Sequence, residues 1–254
     1  MTFLDSTLLG IVEGITEFLP VSSTGHLMIA SKLLGITPTT FSKTFEIAIQ
    51  SGAILAVCVL YFRRLLAHKE LIPKITVAFT PTLIAGVVLY PLIKNVFLEN
   101  ILIVFYSLIV GGIIMLLVEK YNKNTSYREL ESITYRESFI LGILQIFALI
   151  PGVSRSGATI IGGMALSYPR IFLIEFSFLL ALPTILGATV YDVYKNHTTF
   201  SSNETMLLVT GIVVSAVVAY AIMKTFLNYL KKNSFVIFGW YRIAIGIIGL
   251  VFFY

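Results

Sequence analysis

Six apolar stretches, each close to the length of a membrane crossing, constrain the fold of this chain more than any other feature of its sequence. They cover residues 47–62, 75–93, 101–118, 172–193, 206–226 and 236–254. A helix needs about 20 apolar residues to cross a bilayer, whereas barrel strands alternate apolar and polar residues over about ten positions. These stretches are apolar on every face, and only 12% of the chain is charged. We therefore predict an all-α integral membrane protein with six transmembrane helices.

The remaining bulk features exclude other classes of protein. The net charge is +5, but the basic residues flank the apolar stretches and form no stripe with interleaved aromatics, so we predict no nucleic-acid partner. The N-terminal stretch lacks the basic region and cleavage site of a signal peptide, so we expect the first helix to stay in the mature protein. Cys58 lies within an apolar stretch, where we expect a small core residue and no disulfide.

Two shorter segments interrupt the apolar pattern and resemble each other. Residues 10–25 align without gaps with residues 142–157, and both contain Val-Ser-x-Ser/Thr-Gly after a proline. Weaker echoes pair Glu46 with Glu175, Tyr106 with Tyr241 and Gly111 with Gly246. We predict one membrane domain, residues 1–254, built from a duplicated unit. Its parts are repeat 1 (1–119) with a hairpin at 6–34, a cytoplasmic linker (120–137), and repeat 2 (138–254) with a hairpin at 138–168.

Each interrupted segment is predicted to be a re-entrant hairpin, with two helices of about 10 to 15 residues that are too short to span alone. Such a hairpin returns to the side it left. Each repeat then crosses the membrane three times, the second repeat is inverted, and the two turns meet near the midplane.

The loops of this topology differ in their positive charge. The richer side has Arg63, Arg64, Lys69, Lys74, Lys120, Lys123, Arg128, Arg136, Arg170, Lys231 and Lys232, and the other side has Lys32, Lys43, Lys94 and Lys195. Cytoplasmic loops carry the excess of lysine and arginine. We therefore predict that the active site and both termini face the extracytoplasmic side.

Glu13 and Glu17 are the first candidate site residues. They lie four positions apart and so project from one face of a helix. A carboxylate inside a membrane costs roughly 2.5 to 3.5 kcal/mol, so a cation is expected between the two. Oxygen ligands favour Mg²⁺ or Ca²⁺ over Zn²⁺. The alternative is a pair of protonated or paired carboxyls that holds helices together.

Ser22, Ser23, Thr24 and Gly25 form the turn that leads into the next helix. The free N–H groups and the dipole at a helix N-terminus bind anions, and phosphate is a natural occupant. The hydroxyls can equally be N-caps. His26 follows Ser23 by three residues, close enough to act as acid or base for the Ser23 hydroxyl or for the leaving phosphate. Alternatively, His26 is a helix-to-helix hydrogen-bonding group.

The second turn supplies polar residues at the equivalent positions. They are Ser154, Arg155, Ser156 and Thr159. An arginine at this depth requires an anion, either one of the glutamates or a phosphate that suits its bidentate fork. Gln145 and Leu149 stand where the first repeat has its glutamates, so we expect one repeat to hold metal and nucleophile and the other to clamp phosphate. These features predict hydrolysis of a phosphoric anhydride.

Residues near the span ends have weaker interpretations. Glu46, Gln50 and Glu175 either support the site or are ordinary interfacial polar residues. Trp240 and Tyr241 are interpreted as aromatic belt residues.

At the two interrupting motifs the chain resembles the undecaprenyl pyrophosphate phosphatase family, also called the bacitracin resistance protein family. Residues 13–26 and 151–159 look like its two signature motifs, and the similarity extends through 46–50, 175–181 and 224–227. The resemblance implies hydrolysis of undecaprenyl diphosphate to undecaprenyl phosphate and inorganic phosphate. It also implies a bacterial plasma membrane protein with inverted repeats, an outward-opening site, a role in recycling the cell-wall lipid carrier, and a tendency to form homodimers.

The resemblance further implies a role for each matching residue. Glu13 and Glu17 match the metal-associated acidic pair of the family, Ser23 its proposed nucleophile, His26 its catalytic histidine and Arg155 its phosphate-binding arginine. Supporting roles fall to Ser22, Ser154, Ser156 and Thr159.

Two other classes of function remain open from the sequence. A transporter or flippase of a phosphorylated lipid or anion uses similar inverted repeats with broken helices. A noncatalytic lipid-binding scaffold is the third reading. Ser23 beside His26 favours an enzyme because transport needs no nucleophile, and either a serine or metal-bound water can be the attacking group.

Overall fold

Helices form all the regular structure of the described residues, which are 1–97, 100–122, 126–196 and 200–253 of a computed structural model. In chain order the helices are α1 (Phe3–Thr16), α2 (Ser23–Leu33), α3 (Thr40–Ala48), α4 (Gln50–Ala67), α5 (Leu71–Val88), α6 (Tyr90–Leu92), α7 (Ile101–Tyr121), α8 (Tyr135–Gln145), α9 (Arg155–Ala165), α10 (Arg170–Asn196), α11 (Ser202–Leu230) and α12 (Val236–Phe253). Single helical turns occur at Ile93–Phe97, Leu130–Ser132 and Ile146–Leu149. Lys123 and Tyr254, which the sequence analysis places in the linker and the last span, lie outside the described residues.

Six stretches of the described residues are long and apolar enough to cross a membrane. They are Thr40–Ala67, Leu71–Val88, Ile101–Tyr121, Arg170–Tyr191, Ser202–Leu230 and Val236–Phe253. The predicted number of spans is therefore confirmed. The first begins earlier than predicted because Thr39 caps α3, accepting a hydrogen bond from the Ser42 N–H at 3.1 Å, and starts the helix within a polar stretch. The expectation for Cys58 is wrong, because it is exposed on α4.

The two helix pairs that flank the interrupting motifs have matching positions. Helices α1 and α8 begin 132 residues apart, as do α2 and α9, which is the offset of the sequence alignment. Helix α1 contacts α11 and α8 contacts α5, so the first helix of each pair lies against the other half of the chain. Gly10 faces the Gly211 carbonyl and Gly142 faces the Ala78 carbonyl, because only glycine lets the backbones approach so closely.

The polar segment between α7 and α8 is attached to the helix bundle. Helix α7 ends at Tyr121 and α8 begins at Tyr135. Within the described part of the linker, Leu130 and Ile133 are buried. Glu131 accepts a hydrogen bond from Arg64 Nε of α4 at 2.7 Å, and this contact lowers the pKa of the Glu131 carboxyl.

A second ion pair holds the start of α8. Arg128 donates to both carboxylate oxygens of Glu137, at 2.8 and 2.9 Å. These charge-assisted hydrogen bonds lower the pKa of Glu137 to about 2. The linker therefore fixes the entry of α8, and α8 leads to the second turn.

Candidate active site

The turns after α1 and α8 bring the predicted motifs together, and their backbones have the same shape. Ser22 and Ser154 occupy equivalent positions with φ of 71° and 77°, a region that residues other than glycine adopt uncommonly. Each hydroxyl accepts a hydrogen bond from a glycine N–H three residues later, Gly25 at 3.4 Å and Gly157 at 3.1 Å. Ser22 and Ser154 are therefore the N-caps of α2 and α9.

A single arginine from α12 joins the two turns. Arg242 is 1% exposed and donates at 2.9 Å to each of the carbonyls of Pro20, Gly152 and Val153. It also donates to the Ser107 carbonyl at 3.2 Å. Arg242 was not among the predicted site residues, because it lies inside an apolar span and not in a charged loop. An arginine inside an apolar span is itself the signal of a functional site.

Glu17, Ser23 and Arg155 meet between the turns. The Ser23 hydroxyl donates to Glu17 Oε2, and Arg155 Nη2 donates to Glu17 Oε1 at 3.1 Å. The Glu17 and Arg155 side chains are 6% and 9% exposed. Arg155 Nη1 also donates to the Ser177 carbonyl at 2.7 Å, while its Nε–H is buried without a hydrogen-bond partner. The anion beside Arg155 is thus Glu17, and the Nε–H of the guanidinium is left without a partner.

The His26 ring does not contact the Ser23 hydroxyl, which donates to Glu17 instead. Its Nδ1 lies 2.8 Å from the Ser22 carbonyl oxygen and its Nε2 lies 2.7 Å from Tyr241 Oη. Tyr241, interpreted from the sequence as a belt residue, thus contacts a predicted site residue, while Trp240 is 61% exposed. A tyrosine at the end of a span has no sequence signal that distinguishes these two roles.

Glu13 is fully buried, and neither carboxylate oxygen accepts a hydrogen bond from an N–H or hydroxyl donor, although its carboxyl lies close enough to that of Glu17 to share a proton with it. It lies one helical turn before Glu17. Within the described residues, no group of three or more His, Cys, Asp or Glu side chains is placed to hold a metal ion. Glu46 accepts a hydrogen bond from Ser31 at 2.5 Å, and Glu175 accepts one from Arg64 at 3.0 Å, so both have partners of their own.

A cavity of about 150 Å³ lies between the two turns. The predicted residues that line it are Glu17, Ser22, Ser23, Thr24, Gln50, Ser154 and Arg155. Thr82 and Thr184, which were not predicted, also line the cavity. Each accepts a hydrogen bond from Gln145 Nε2 at 3.2 Å. An engineered cavity of similar volume accepts benzene, so this one suits a headgroup rather than a whole lipid.

Five predicted site residues lie outside the cavity lining. They are Glu13, Gly25, His26, Ser156 and Thr159. Ser156 donates to the Leu19 carbonyl at 3.0 Å, which ties the second turn to the first, and Thr159 donates back to the Arg155 carbonyl at 3.1 Å. The Ser156 hydroxyl therefore joins the two turns, whereas the Thr159 hydroxyl bonds within α9.

Comparison with known proteins agrees with the geometry. Residues 6–248 match the family model described as bacitracin resistance protein BacA. A protein of Aquifex aeolicus named undecaprenyl-diphosphatase is 48% identical over 254 residues, which covers 100% of this chain and 99% of that one. Its namesake from Sulfurihydrogenibium is 47% identical over 250 residues, covering 98% of each chain. The chain therefore belongs to the bacitracin resistance protein BacA family.

Proposed function

We propose that this chain is an undecaprenyl-diphosphatase, a membrane hydrolase that converts undecaprenyl diphosphate to undecaprenyl phosphate and inorganic phosphate. The observation that carries the proposal is the meeting of Glu17, Ser23 and Arg155 in one polar cavity, although Glu17 and Arg155 are 138 positions apart. Relatives that match nearly the whole chain carry the name of this activity. A carboxylate, a hydroxyl and a guanidinium at one cavity are the groups that phosphoryl transfer needs.

The hydrogen bonds suggest how the chain's own residues divide the work. Arg155 binds the terminal phosphate through its guanidinium, whose Nε–H has no other partner. The N-terminal N–H groups of α2 and α9 add donors at the two turns. Ser23 Oγ attacks the terminal phosphorus while its proton passes to Glu17, and the bridging oxygen leaves with the lipid phosphate. Water then cleaves the bond between Ser23 and phosphorus and releases inorganic phosphate.

We also propose that Glu13 and Glu17 hold Mg²⁺ or Ca²⁺. The fit rests on Glu13, because a buried carboxylate that accepts no N–H or hydroxyl hydrogen bond requires a cation or a proton. Two carboxylates leave the remaining ligand positions to water and to substrate oxygens, which is how Mg²⁺ is commonly bound. Such an ion, when bound, neutralises charge on the phosphate oxygens.

The proposed topology has two re-entrant hairpins, α1–α2 and α8–α9, in inverted repeats within a single domain. The matching offset of the two pairs supports it, as does the packing of α1 and α8 against helices of the opposite half. Each repeat then has three crossings, so the second is inverted. The excess of Lys and Arg on the linker side supports a cytoplasmic linker, with termini and site opening to the extracytoplasmic side of the bacterial plasma membrane.

Phosphate release from a C55 or C15 prenyl diphosphate by the purified protein tests the proposal. We expect Glu17→Gln and Arg155→Ala each to reduce turnover by about 10²-fold or more, because one removes the proton acceptor and the other an electrostatic donor. Glu70→Gln is the matched control, since this carboxylate is half exposed beside His68. A transporter or flippase would bind the lipid without releasing phosphate. Active wild type with unaffected Glu17 and Arg155 variants would refute the site.

A further inference from the structure

Both ring nitrogens of His26 have a fixed partner. Nδ1 faces the Ser22 carbonyl oxygen at 2.8 Å, and Nε2 faces the Tyr241 hydroxyl at 2.7 Å. A carbonyl oxygen can only accept, so Nδ1 carries the proton of the neutral ring and Nε2 accepts from the tyrosine. The two rings are nearly parallel, 8° apart, with centroids separated by 5.5 Å. These contacts select one tautomer and one ring orientation.

The imidazole is also connected to the turn that carries Ser23. The carbonyl that accepts from Nδ1 belongs to Ser22, the residue immediately before Ser23 and the N-cap of α2. On α12, Tyr241 is followed by Arg242, which bonds the Pro20 carbonyl of the same turn. Two consecutive residues of α12 therefore hold this turn. Arg242 bonds the backbone of the turn directly, and Tyr241 acts through the His26 ring.

The counterpart positions, Tyr106 and Ala158, both described, have no equivalent contact. Tyr106 of α7 corresponds to Tyr241, but Ala158 stands in α9 where His26 stands in α2. Tyr106 is 57% exposed on the apolar surface. Of the two corresponding tyrosines, Tyr241 thus contacts a histidine and Tyr106 does not.

We propose that Tyr241 is a positioning residue for His26, an inference that rests on the proposed phosphatase function. Its hydroxyl keeps Nε2 as the acceptor nitrogen and holds the ring so that Nδ1–H stays bonded to Ser22. Without the hydroxyl, the ring can rotate and exchange tautomers, and the turn that carries Ser23 loses one of its fixed points. Tyr241 acts through His26 and makes no contact with the substrate.

Steady-state kinetics of Tyr241→Phe and of the matched control Tyr106→Phe test the proposal. We expect Tyr241→Phe to lower kcat by about 10-fold with KM within about 2-fold, because residues that orient a functional group typically contribute 10- to 100-fold. Tyr106→Phe should leave both constants unchanged. Equal kinetics of the two variants and wild type would overturn the proposal.

Two further measurements separate positioning from a general structural role. In a His26→Ala background, Tyr241→Phe should change kcat by less than about 2-fold, and a remaining 10-fold effect would show that Tyr241 acts independently of His26. The chain has three histidines, so ¹⁵N-histidine NMR can follow His26 directly. Tyr241→Phe should shift both ring-nitrogen resonances of His26 and leave those of the other two histidines in place, and an unchanged spectrum would refute the contact. The spectrum does not depend on activity, so an inactive wild type would refute the phosphatase and leave this contact testable.

Discussion

Arg242 is predicted to be the residue on which the relative position of the two turns depends most. Its guanidinium lies within 3.2 Å of four carbonyl oxygens, three of which belong to the turns. Arg242→Met removes every donor and leaves the Pro20 and Gly152 carbonyls buried, and the Val153 carbonyl partly buried, without this partner. Each unsatisfied buried acceptor costs about 1 to 3 kcal/mol, so we expect a loss of about 3 kcal/mol or more in the free energy of unfolding.

The loss should appear as a lower melting temperature of the detergent-purified protein, followed by circular dichroism of the helices. A loss of about 3 kcal/mol corresponds to roughly 6 to 12 °C for a chain of this size. Arg242→Lys should fall between wild type and Arg242→Met, because one ammonium cannot reproduce the planar fork. Arg63→Met, the same change at an exposed arginine, is the control. If Arg242→Met melts within 2 °C of wild type, the turns are held together by something else.

Three further predictions concern packing, pH and metal. Gly142→Ala should destabilise the fold strongly because its Cβ would collide with the backbone of Ala78, whereas Gly86→Ala, whose Cβ would make only an ordinary van der Waals contact with Leu149, should melt like wild type. Because Arg128 depresses the pKa of Glu137 from an ordinary 4.5 to about 2, the stability that this pair adds to the linker should be complete above about pH 4.5 and be lost as the pH falls towards 2. The protection of linker amides, relative to their intrinsic exchange rate at each pH, should then fall at pH 3 in wild type, and constant protection would contradict the pair's role. Chelation should abolish phosphate release, added Mg²⁺ or Ca²⁺ should restore it, and full activity after chelation would refute the metal site.

The spans and the helix pairs were predictable from the sequence because their signals are long. Each of the six apolar stretches is longer than the apolar run of an ordinary soluble helix. The first helices of the two pairs begin 132 residues apart, and so do the second helices. The start of α3 was not predictable from apolar content because Thr39 and Ser42 make it polar. Glu17 and Arg155 were recognisable candidates because each is a charged residue in a segment that is expected to lie inside the membrane.

Side-chain direction is what the sequence could not supply. Spacing along a helix places His26 one turn from Ser23, but spacing does not show that the ring is directed towards Tyr241 on α12. Arg242 lies in an apolar span, where a count of loop charges passes over it. Gln145 was recognised as the counterpart of Glu13, yet its bonds to Thr82 and Thr184 join three helices that no local pattern connects.

The ion pair between Arg155 and Glu17 has a consequence for what the cavity retains. Without substrate the Arg155 guanidinium is already paired with the Glu17 carboxylate, so it is not free to hold stray anions. An incoming headgroup has to outcompete a carboxylate that is in place, and the attraction available for this rises with the headgroup's negative charge. A diphosphate competes better than the monophosphate left after hydrolysis. The pair between Arg155 and Glu17 therefore favours entry of the substrate and lets the lipid monophosphate depart.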